Sequence, residues 1–359
     1  MNALRDWARR NRSIAAFLAR ARDRRRDAAF AAHLADSVGV AVQWQSAAEP
    51  LACIREQLKL LQSISEPVAR KGSPSKVALR RPDLQLLSQV MDSQAPIGAR
   101  ELRAAQRVAS IDPADRSALT LYLAVLWLAN AETIRSMRHS ASDRIVLHMT
   151  CSSRLARAER SIDSFPKGAA GASHVTLIGV GNTCAFDAQS GVLAVACDDS
   201  YECLPQKVFQ GLSLLALAHN PSVILKLDDD HRLADARELE KLFAFAASRS
   251  QEAMQLGEVN HTPSPSAHHR AWHYGKCARA ELNDRLLEMP APAQWAAGSS
   301  GYIVNRAALW RILWATVYYQ QWLEAILYED LALAEVATKT GIRIVQVEMS
   351  HAIGAVSEY

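Results

Sequence analysis

One stretch restricts the fold of this chain more than any other: residues 223–233, VILKLDDDHRL, in which an apolar run ends in three consecutive aspartates. The apolar residues have the length and β-branching of a buried strand, and Pro221 ends the element before them. The carboxylates of Asp228, Asp229 and Asp230 are therefore expected at a strand's carboxyl end, the edge where open α/β sheets bind ligands. Adjacent carboxylates repel one another unless a hard cation offsets their charge, so a divalent metal is expected there. A solvated acidic turn or a helix N-cap cluster would explain the same triplet.

Strand-like and helix-like segments alternate around this stretch. The strand-like segments nearest to it are Arg144–Met149, Val175–Val180 and Val192–Cys197, with helical patterns between them. Such alternation predicts βαβ units, and hence an α/β fold with a mostly parallel sheet flanked by helices. Residues 1–140 show helical patterns with almost no strand-like alternation, so an all-α N-terminal region is expected before an α/β domain at 141–359.

The helical region contains two interruptions that its composition marks clearly. Glu66–Pro82 is rich in proline and glycine and is expected to be a loop or linker. Asp112 and Pro113 have the N-cap and first-turn pattern that opens a helix, here expected to continue through Trp127.

The first 26 residues combine arginines with an apolar stripe. The stripe recurs at near-helical spacing and consists of Leu4, Trp7, Ile14, Phe17, Leu18 and Ala21. This pattern predicts a basic amphipathic helix that either packs its apolar face against the protein or makes a peripheral contact with an anionic membrane surface.

Charge and cysteine content narrow the classes of protein. The net charge is +4, from 41 basic and 37 acidic residues, which gives no global field for nucleic acid. The six cysteines form no CxxC pair, so reduced thiols rather than a zinc site are expected. No run of eighteen apolar residues predicts a membrane-spanning helix. These features favour a cytoplasmic protein, with a peripheral membrane contact as the alternative that the basic N-terminal helix leaves open.

From Arg144 onward the chain resembles the GT-A glycosyltransferases, and most of all the inverting β-1,3-galactosyltransferase and Fringe-related group, glycosyltransferase family 31. Four motifs occur in that group's order: DSYECLPQK with Asp199 and Lys207, KLDDD with Lys226, GSSGY at 298–302, and YED with Glu329 and Asp330. The motifs lie between residues 199 and 330, and their shared order is more specific than any one of them. The resemblance implies a GT-A, Rossmann-like fold.

The resemblance also implies a metal centre. A Mn²⁺ ion, or Mg²⁺, would bridge the diphosphate of a nucleotide sugar and stabilise the charge that develops as it departs. Asp230 would be one ligand, and Asp228 would face the ribose. His351, which follows an apolar strand near the C-terminus, would be another ligand; the alternative is a surface histidine in a C-terminal tail.

Asp330 matches the acid that serves this group as the general base. Inversion at an anomeric carbon needs a base that takes the proton of the acceptor hydroxyl on the face opposite the leaving diphosphate. A plain alternative is that Glu329 and Asp330 only complement the dipole of the helix they begin. Lys207 matches a lysine of the same group, and the alternative is that it is only a solvated surface lysine.

Further residues are expected to bind the donor or the acceptor. Thr150, Ser152 and Arg154 follow the first strand of the domain, where the base and ribose of a nucleotide would lie, and Arg157 could also assist the phosphates. The aromatic segment around Trp272 could stack on a sugar, although a half-buried strand is favoured there. The expected substrate-binding set is Thr150, Ser152, Arg154, Asp199, Lys207, Lys226, Asp228, Asp229, Trp272, Gly298, Ser299, Ser300, Gly301 and Glu329.

The expected function is therefore the inverting, metal-dependent transfer of a hexose, galactose or an N-acetylhexosamine, from a UDP-sugar to a saccharide hydroxyl. Polysaccharide or glycoconjugate synthesis would be its setting. The alternative is a non-catalytic protein that binds a glycan or a nucleotide sugar on the same scaffold, since fold alone does not guarantee activity.

Overall fold

The computed structural model describes residues 44–63, 76–112, 115–138, 142–166, 168–261, 269–288, 292–318, 323 and 325–355. The predicted basic amphipathic helix of the first 26 residues lies outside the described residues. All six cysteines are described, and all are free thiols, as predicted.

Every regular element that the structure describes before residue 140 is a helix, and the first strand begins at Arg144. These helices are α1 (Ala48–Ser63), α2 (Lys76–Ser93), α3 (Ala99–Ser110), α4 (Arg116–Ala129) and α5 (Ala131–Arg138).

Two details of this region differ from the prediction. The predicted loop Glu66–Pro82 is wrong at its end, because α2 begins at Lys76 and runs through Pro82. The helix predicted to open at Asp112 begins at Arg116 instead, because Asp115 is the N-cap and its carboxylate accepts a hydrogen bond from the backbone N–H of Ala118 at 3.1 Å.

The remainder of the chain alternates strands and helices. The strands are β1 (Arg144–Met149), β2 (Ser173–Gly179), β3 (Ala185–Asp187), β4 (Val192–Val195), β5 (Val223–Asp228), β6 (His231–Leu233), β7 (Met254–Gly257), β8 (Val259–His261), β9 (His269–Arg270), β10 (Leu287–Glu288), β11 (Gln294–Ala296), β12 (Tyr302–Asn305), β13 (Arg343–Gln346) and β14 (Ile353–Ala355). The helices are α6 (Leu155–Asp163), α7 (Leu204–His219), α8 (Ala236–Ser248), α9 (Arg306–Tyr318) and α10 (Glu329–Thr340).

Eight of these strands form one mixed, mostly parallel sheet in the order β13-β7-β12-β5-β1-β2-β4-β3. Neighbouring strands β4, β2, β1 and β5 are parallel, as are β7 and β13. Strand β12 runs antiparallel between β5 and β7, and β3 is an antiparallel edge strand. The predicted α/β class, with a mostly parallel sheet flanked by helices, is thus confirmed, and it is compatible with a Rossmann-like fold.

The sheet has a core on each face because successive side chains of a strand point to opposite sides. In β1, Ile145 and Leu147 pack into the larger core with α7, α9 and α10, whereas Val146 packs into the smaller core with α8. Buried strands covered on both faces explain why β1 and β5 are continuous apolar runs rather than alternating ones.

The helical region shares the larger core with the sheet domain, in which buried side chains of α1–α5 form one cluster with those of α7, α9 and α10. Polar contacts cross the same boundary. The Gln106 side-chain amide donates to the carbonyl of Thr316 at 3.2 Å, and Arg138 Nε donates to the carbonyl of Ala218, at the end of α7, at 3.0 Å.

Within the described residues, no helix by itself has the length and apolar character needed to cross a membrane. The pair α4 and α5 meets the criteria jointly, but the two helices meet at an angle of 76°.

Candidate functional site

The topology of the sheet defines one crevice at its carboxyl edge. After β1 the chain adds β2 and β4 on one side, and it then returns to add β5 on the other side of β1. Ligands bind at such a switch point, outside the carboxyl ends of the two diverging strands. Thr150 follows β1 and Asp228–Asp230 ends β5, so the structure brings both predicted segments to this crevice.

The two segments are joined by direct hydrogen bonds. Thr150 Oγ1 donates to Asp229 Oδ2 at 2.6 Å, and Lys207 Nζ donates to the carbonyl of Thr150 at 3.0 Å. The Lys207 ammonium also pairs with Asp199, whose carboxylate accepts the backbone N–H of Gly179 at 2.9 Å. Lys207 is buried, so it is not the solvated lysine of the alternative explanation.

Asp199 is held ionised by these contacts. Burial of its carboxyl raises the pKa, but the hydrogen bonds from Lys207 and from the backbone of Ser152 and Gly179 lower it more, and the net shift is downward. The Ser152 backbone N–H is therefore tied to the DSYECLPQK segment, while its side chain is exposed beside the crevice.

A buried lysine forms the floor of the site. Lys226 Nζ lies 2.7 Å from Asp228 Oδ1 and 3.5 Å from Glu329 Oε2, and Tyr302 donates a hydrogen bond to the other Glu329 oxygen. Lys226 and Tyr302 are direct partners on the antiparallel strands β5 and β12, which places their side chains side by side. Burial lowers the pKa of Lys226, but Asp228 and Glu329 outweigh it and the pKa is raised, so the ammonium stays charged.

The segment Gly298–Gly301 crosses this floor with very little clearance. A Cβ on Gly298 would lie 3.1 Å from Glu329 Oε2 and 3.7 Å from Lys226 Nζ. Gly301 has φ +74°, and a Cβ there would lie 2.6 Å from a methyl group of Leu227. Glycine is required for this close approach. Ser299 is exposed to the crevice, and Ser300 donates to a Glu258 oxygen at 2.8 Å.

Asp330 lies against the same glycine segment. One carboxylate oxygen accepts the backbone N–H of Gly298 at 3.4 Å, and the other accepts the N–H of Leu331 at 2.8 Å. Burial raises the pKa of Asp330 despite these two backbone hydrogen bonds. A carboxylate with a raised pKa at the N-terminus of α10, next to a crevice, has the properties of a general base as well as those of a helix-dipole partner.

The other two aspartates of the triplet share one arginine. Arg157 on α6 places Nε 3.6 Å from Asp229 Oδ1 and Nη2 3.8 Å from Asp230 Oδ2. Asp229 is buried, and burial raises the pKa of its carboxyl; the Asp230 side chain is 44% exposed at the mouth of the crevice. Arg154, one helical turn earlier, is exposed.

The structure describes His351 and Asp230, and it shows no hydrogen bond or ion pair between them. Strands β6 and β14 pair with Ala355 opposite His231 and Ile353 opposite Leu233, so His351 lies beyond the far end of this ladder. Its Nε2 atom contacts Glu348 Oε2 at 3.0 Å, and the side chain is exposed. Across the described ranges, no group of three or more His, Cys, Asp or Glu side chains is arranged to hold a metal ion. The histidine's predicted role stays a prediction.

The segment at Trp272 is a turn rather than the half-buried strand that was favoured. His273 is the buried residue of this turn: its Nδ1 lies 2.6 Å from the hydroxyl of Tyr328 and its Nε2 lies 3.0 Å from the carbonyl of Arg285. These bonds hold the turn, while Trp272 stays 42% exposed and its ring centroid lies 5.1 Å from that of Tyr328. Trp272 therefore exposes an aromatic ring beside Tyr328, the residue directly before Glu329 and Asp330.

Sequence reasoning missed the role of His231. Its Nε2 donates to the carbonyl of Ser299 at 2.8 Å, and its Nδ1 lies 3.1 Å from the backbone nitrogen and 3.2 Å from the carbonyl oxygen of Asp228. This buried ring joins the end of β5 to the glycine segment. The only signal in the sequence was its position directly after the aspartates, which suits an exposed histidine equally well.

No protein-family model matches the chain, and no curated protein matches its sequence. The crevice combines four chemical features. They are the buried ammonium of Lys226 between carboxylates, the close backbone of the glycine segment, the carboxylate of Asp330 with its raised pKa, and the partly exposed carboxylate of Asp230.

Proposed function

We propose that the chain is an inverting, metal-dependent GT-A glycosyltransferase that moves a hexose, galactose or an N-acetylhexosamine, from a UDP-sugar to a saccharide hydroxyl. The observation that carries the proposal is convergence. The motifs containing Lys226, Gly298 and Asp330, which lie up to about a hundred residues apart, meet within direct contact at the switch point of the sheet. A fourth motif joins them through Lys207 and Thr150.

The residues at the mouth of the crevice fit the implied divalent cation. Mn²⁺ and Mg²⁺ sites that serve nucleotide phosphates use one or two protein carboxylates and leave the other positions to phosphate and water. Asp230 supplies a carboxylate of this kind, half-exposed and next to Asp229. When bound, the cation would supply charge stabilisation to the departing diphosphate. Asp230 would hold it, and His351 remains the second predicted ligand.

The remaining residues divide the work of binding and proton transfer. Lys226 fixes the carboxylate of Asp228, which the resemblance assigns to the ribose. This carboxylate is therefore already oriented to accept a hydrogen bond before the nucleotide sugar binds. Asp330 would take the proton of the acceptor hydroxyl. Its burial favours this role, because a base is most effective when its pKa approaches the working pH.

The test is to separate binding from transfer at Asp330. Asp330→Asn keeps the shape of the side chain and one of its two acceptor oxygens but removes the base, so UDP affinity should match wild type while transfer to a saccharide acceptor falls by about 10²–10⁴-fold. Calorimetry with UDP and a transfer assay measure the two quantities. Full transfer activity in Asp330→Asn would refute the base assignment.

A further inference from the structure

The predicted contact of Arg157 with the phosphates does not by itself explain the position of this side chain in the structure. It stands on the crevice wall, where its guanidinium faces Asp229 and Asp230 together. Of the other cations of the site, Lys226 pairs with Asp228 and Glu329, and Lys207 pairs with Asp199. Arg154 is exposed and has an electrostatic effect on Asp229, but Arg157 alone has ion-pair contacts to both Asp229 and Asp230 among the described residues. His231 Nδ1 lies 3.3 Å from Asp230 Oδ1, but this ring is buried, and its two nitrogens also face the backbone of Asp228 and of Ser299.

The contacts of Arg157 with the two aspartates are loose. Its nitrogens lie 3.6 and 3.8 Å from the carboxylate oxygens, longer than charge-assisted hydrogen bonds, which are about 2.7–2.9 Å. The guanidinium thus offsets charge without being locked to the two carboxylates in bidentate geometry. Because arginine keeps its charge at all working pH values, only movement of the side chain can release the aspartates.

We propose that Arg157 is a built-in counter-cation that exchanges partners when the nucleotide binds. Before binding, it offsets the charge of Asp229 and Asp230 and competes with the divalent cation for them. When a nucleoside diphosphate enters, the guanidinium moves from the carboxylates to the phosphate oxygens, which it can contact bidentately. This role rests on the nucleotide-sugar function proposed above, and it makes cation and nucleotide bind cooperatively.

Thermodynamic linkage makes the proposal measurable. If the nucleotide removes a competitor of the cation, each ligand must tighten the binding of the other by the same factor. Removing the arginine charge should then have opposite effects on the two ligands: tighter binding of the cation alone and weaker binding of the nucleotide.

The experiment uses the full chain and follows the free Mn²⁺ signal by electron paramagnetic resonance, with and without UDP. Arg157→Gln should tighten Mn²⁺ binding in the absence of nucleotide by about tenfold, the effect of removing a unit charge some 4–5 Å from a divalent ion in a well-solvated site. It should also weaken UDP binding at saturating Mn²⁺ by about tenfold. Arg160→Gln is the matched control, because Arg160 is exposed on the same helix and its change removes the same charge.

The possible outcomes separate the two proposals. Unchanged Mn²⁺ affinity in Arg157→Gln, or equal tightening in Arg160→Gln, would overturn the counter-cation role. The proposed function would still stand in that case if wild type bound UDP in a Mn²⁺-dependent way. If UDP binds no better with Mn²⁺ than with a chelator in wild type and both variants, both proposals fall. Matching thermal midpoints for the three proteins show that the folds are comparable.

Discussion

Lys226 shows how a single buried charge can organise a site. Its ammonium group lies between Asp228 and Glu329, and Tyr302 covers one side of it with its ring centroid 5.6 Å from Nζ. Such a group is tolerated in a protein interior only because opposite charges and hydrogen bonds offset its loss of hydration. The same contacts orient the two carboxylates, so stability and preorganisation have the same cause here.

Removing the charge of Lys226 should therefore leave two carboxylates uncompensated. We expect Lys226→Met to lower the free energy of unfolding by about 3–5 kcal/mol. Glu329→Gln in the Lys226→Met background should cost less than the same change in wild type, because it removes one stranded charge. Urea unfolding of the four proteins in this cycle provides the measurement, and strict additivity would show that the pair does not interact.

The raised pKa of Asp330 predicts a direction for the pH dependence of transfer. A general base must be ionised to act, so the rate should rise with pH through the pKa of Asp330 in the free enzyme. Since burial raises that pKa, the acid limb of kcat/KM should lie above the ordinary aspartate value of about 3.9. A pH–rate profile with its acid limb at or below that value would contradict the assignment.

At the scale of elements, the glycine segment before β12 is the tightest part of the site. Gly301 and Gly181 both have positive φ, but a Cβ on Gly181 would meet nothing within 4 Å, whereas one on Gly301 would meet Leu227 and the carbonyl of Lys226. Comparing alanine at the two positions therefore isolates the effect of close packing from that of backbone conformation.

We expect Gly181→Ala to lower the free energy of unfolding by about 1 kcal/mol, the cost of the backbone conformation. Gly301→Ala should cost about 1–3 kcal/mol more, because the added methyl overpacks against β5. Denaturant unfolding of both variants measures the difference. Equal losses would mean that the glycine segment does not pack against β5 as described.

Elements could be predicted from the sequence when the residues that determine them lie within the element itself. Strand β5 and helix α10 carry their own signals, the latter ending at Gly341 with φ +71°, and both were predicted. The turn at Trp272 was not, because it depends on a hydrogen bond between His273 and Tyr328, 55 positions apart. The start of α2 was missed because a proline-rich composition suggested a loop.

The same distinction between local and distant determinants applies to the residues of the candidate site. Its acidic and glycine residues could be proposed because local motifs carry them, but their partners could not. Spacing gives no indication that Lys226 meets Glu329 at a separation of 103 positions, or that His231 bonds to Ser299 at a separation of 68. The second contact depends on the pairing of β5 with β12, and the first depends also on the start of α10, where Glu329 accepts a hydrogen bond from Tyr302 on β12.

At the scale of the whole molecule, the helical region and the sheet domain share one core. Arg138 at the end of α5 donates to the carbonyls of Ala218 and Leu217 in the last turn of α7, and also to that of Trp44. A cation at the C-terminus of a helix also interacts favourably with its dipole. The two regions are therefore expected to unfold as one unit.

Arg138→Met keeps the aliphatic stem and removes these donors, so it should lower the free energy of unfolding by about 1–3 kcal/mol. Circular dichroism and fluorescence should still report one coincident transition. Arg135→Met, a matched change one turn earlier in α5, should have a smaller effect. Two separate transitions in the wild-type protein would show that the helical region is independent of the sheet.

The most direct test of the proposed transferase is to incubate the full chain with a panel of nucleotide sugars and measure the release of free nucleotide, with Mn²⁺ and with a chelator. Release is predicted from a UDP-hexose, with Mn²⁺ only, and it should be lost in Asp230→Ala because the cation would lose its carboxylate. Release that is independent of the metal and unchanged in Asp230→Ala, or no release from any donor, would contradict the transferase function.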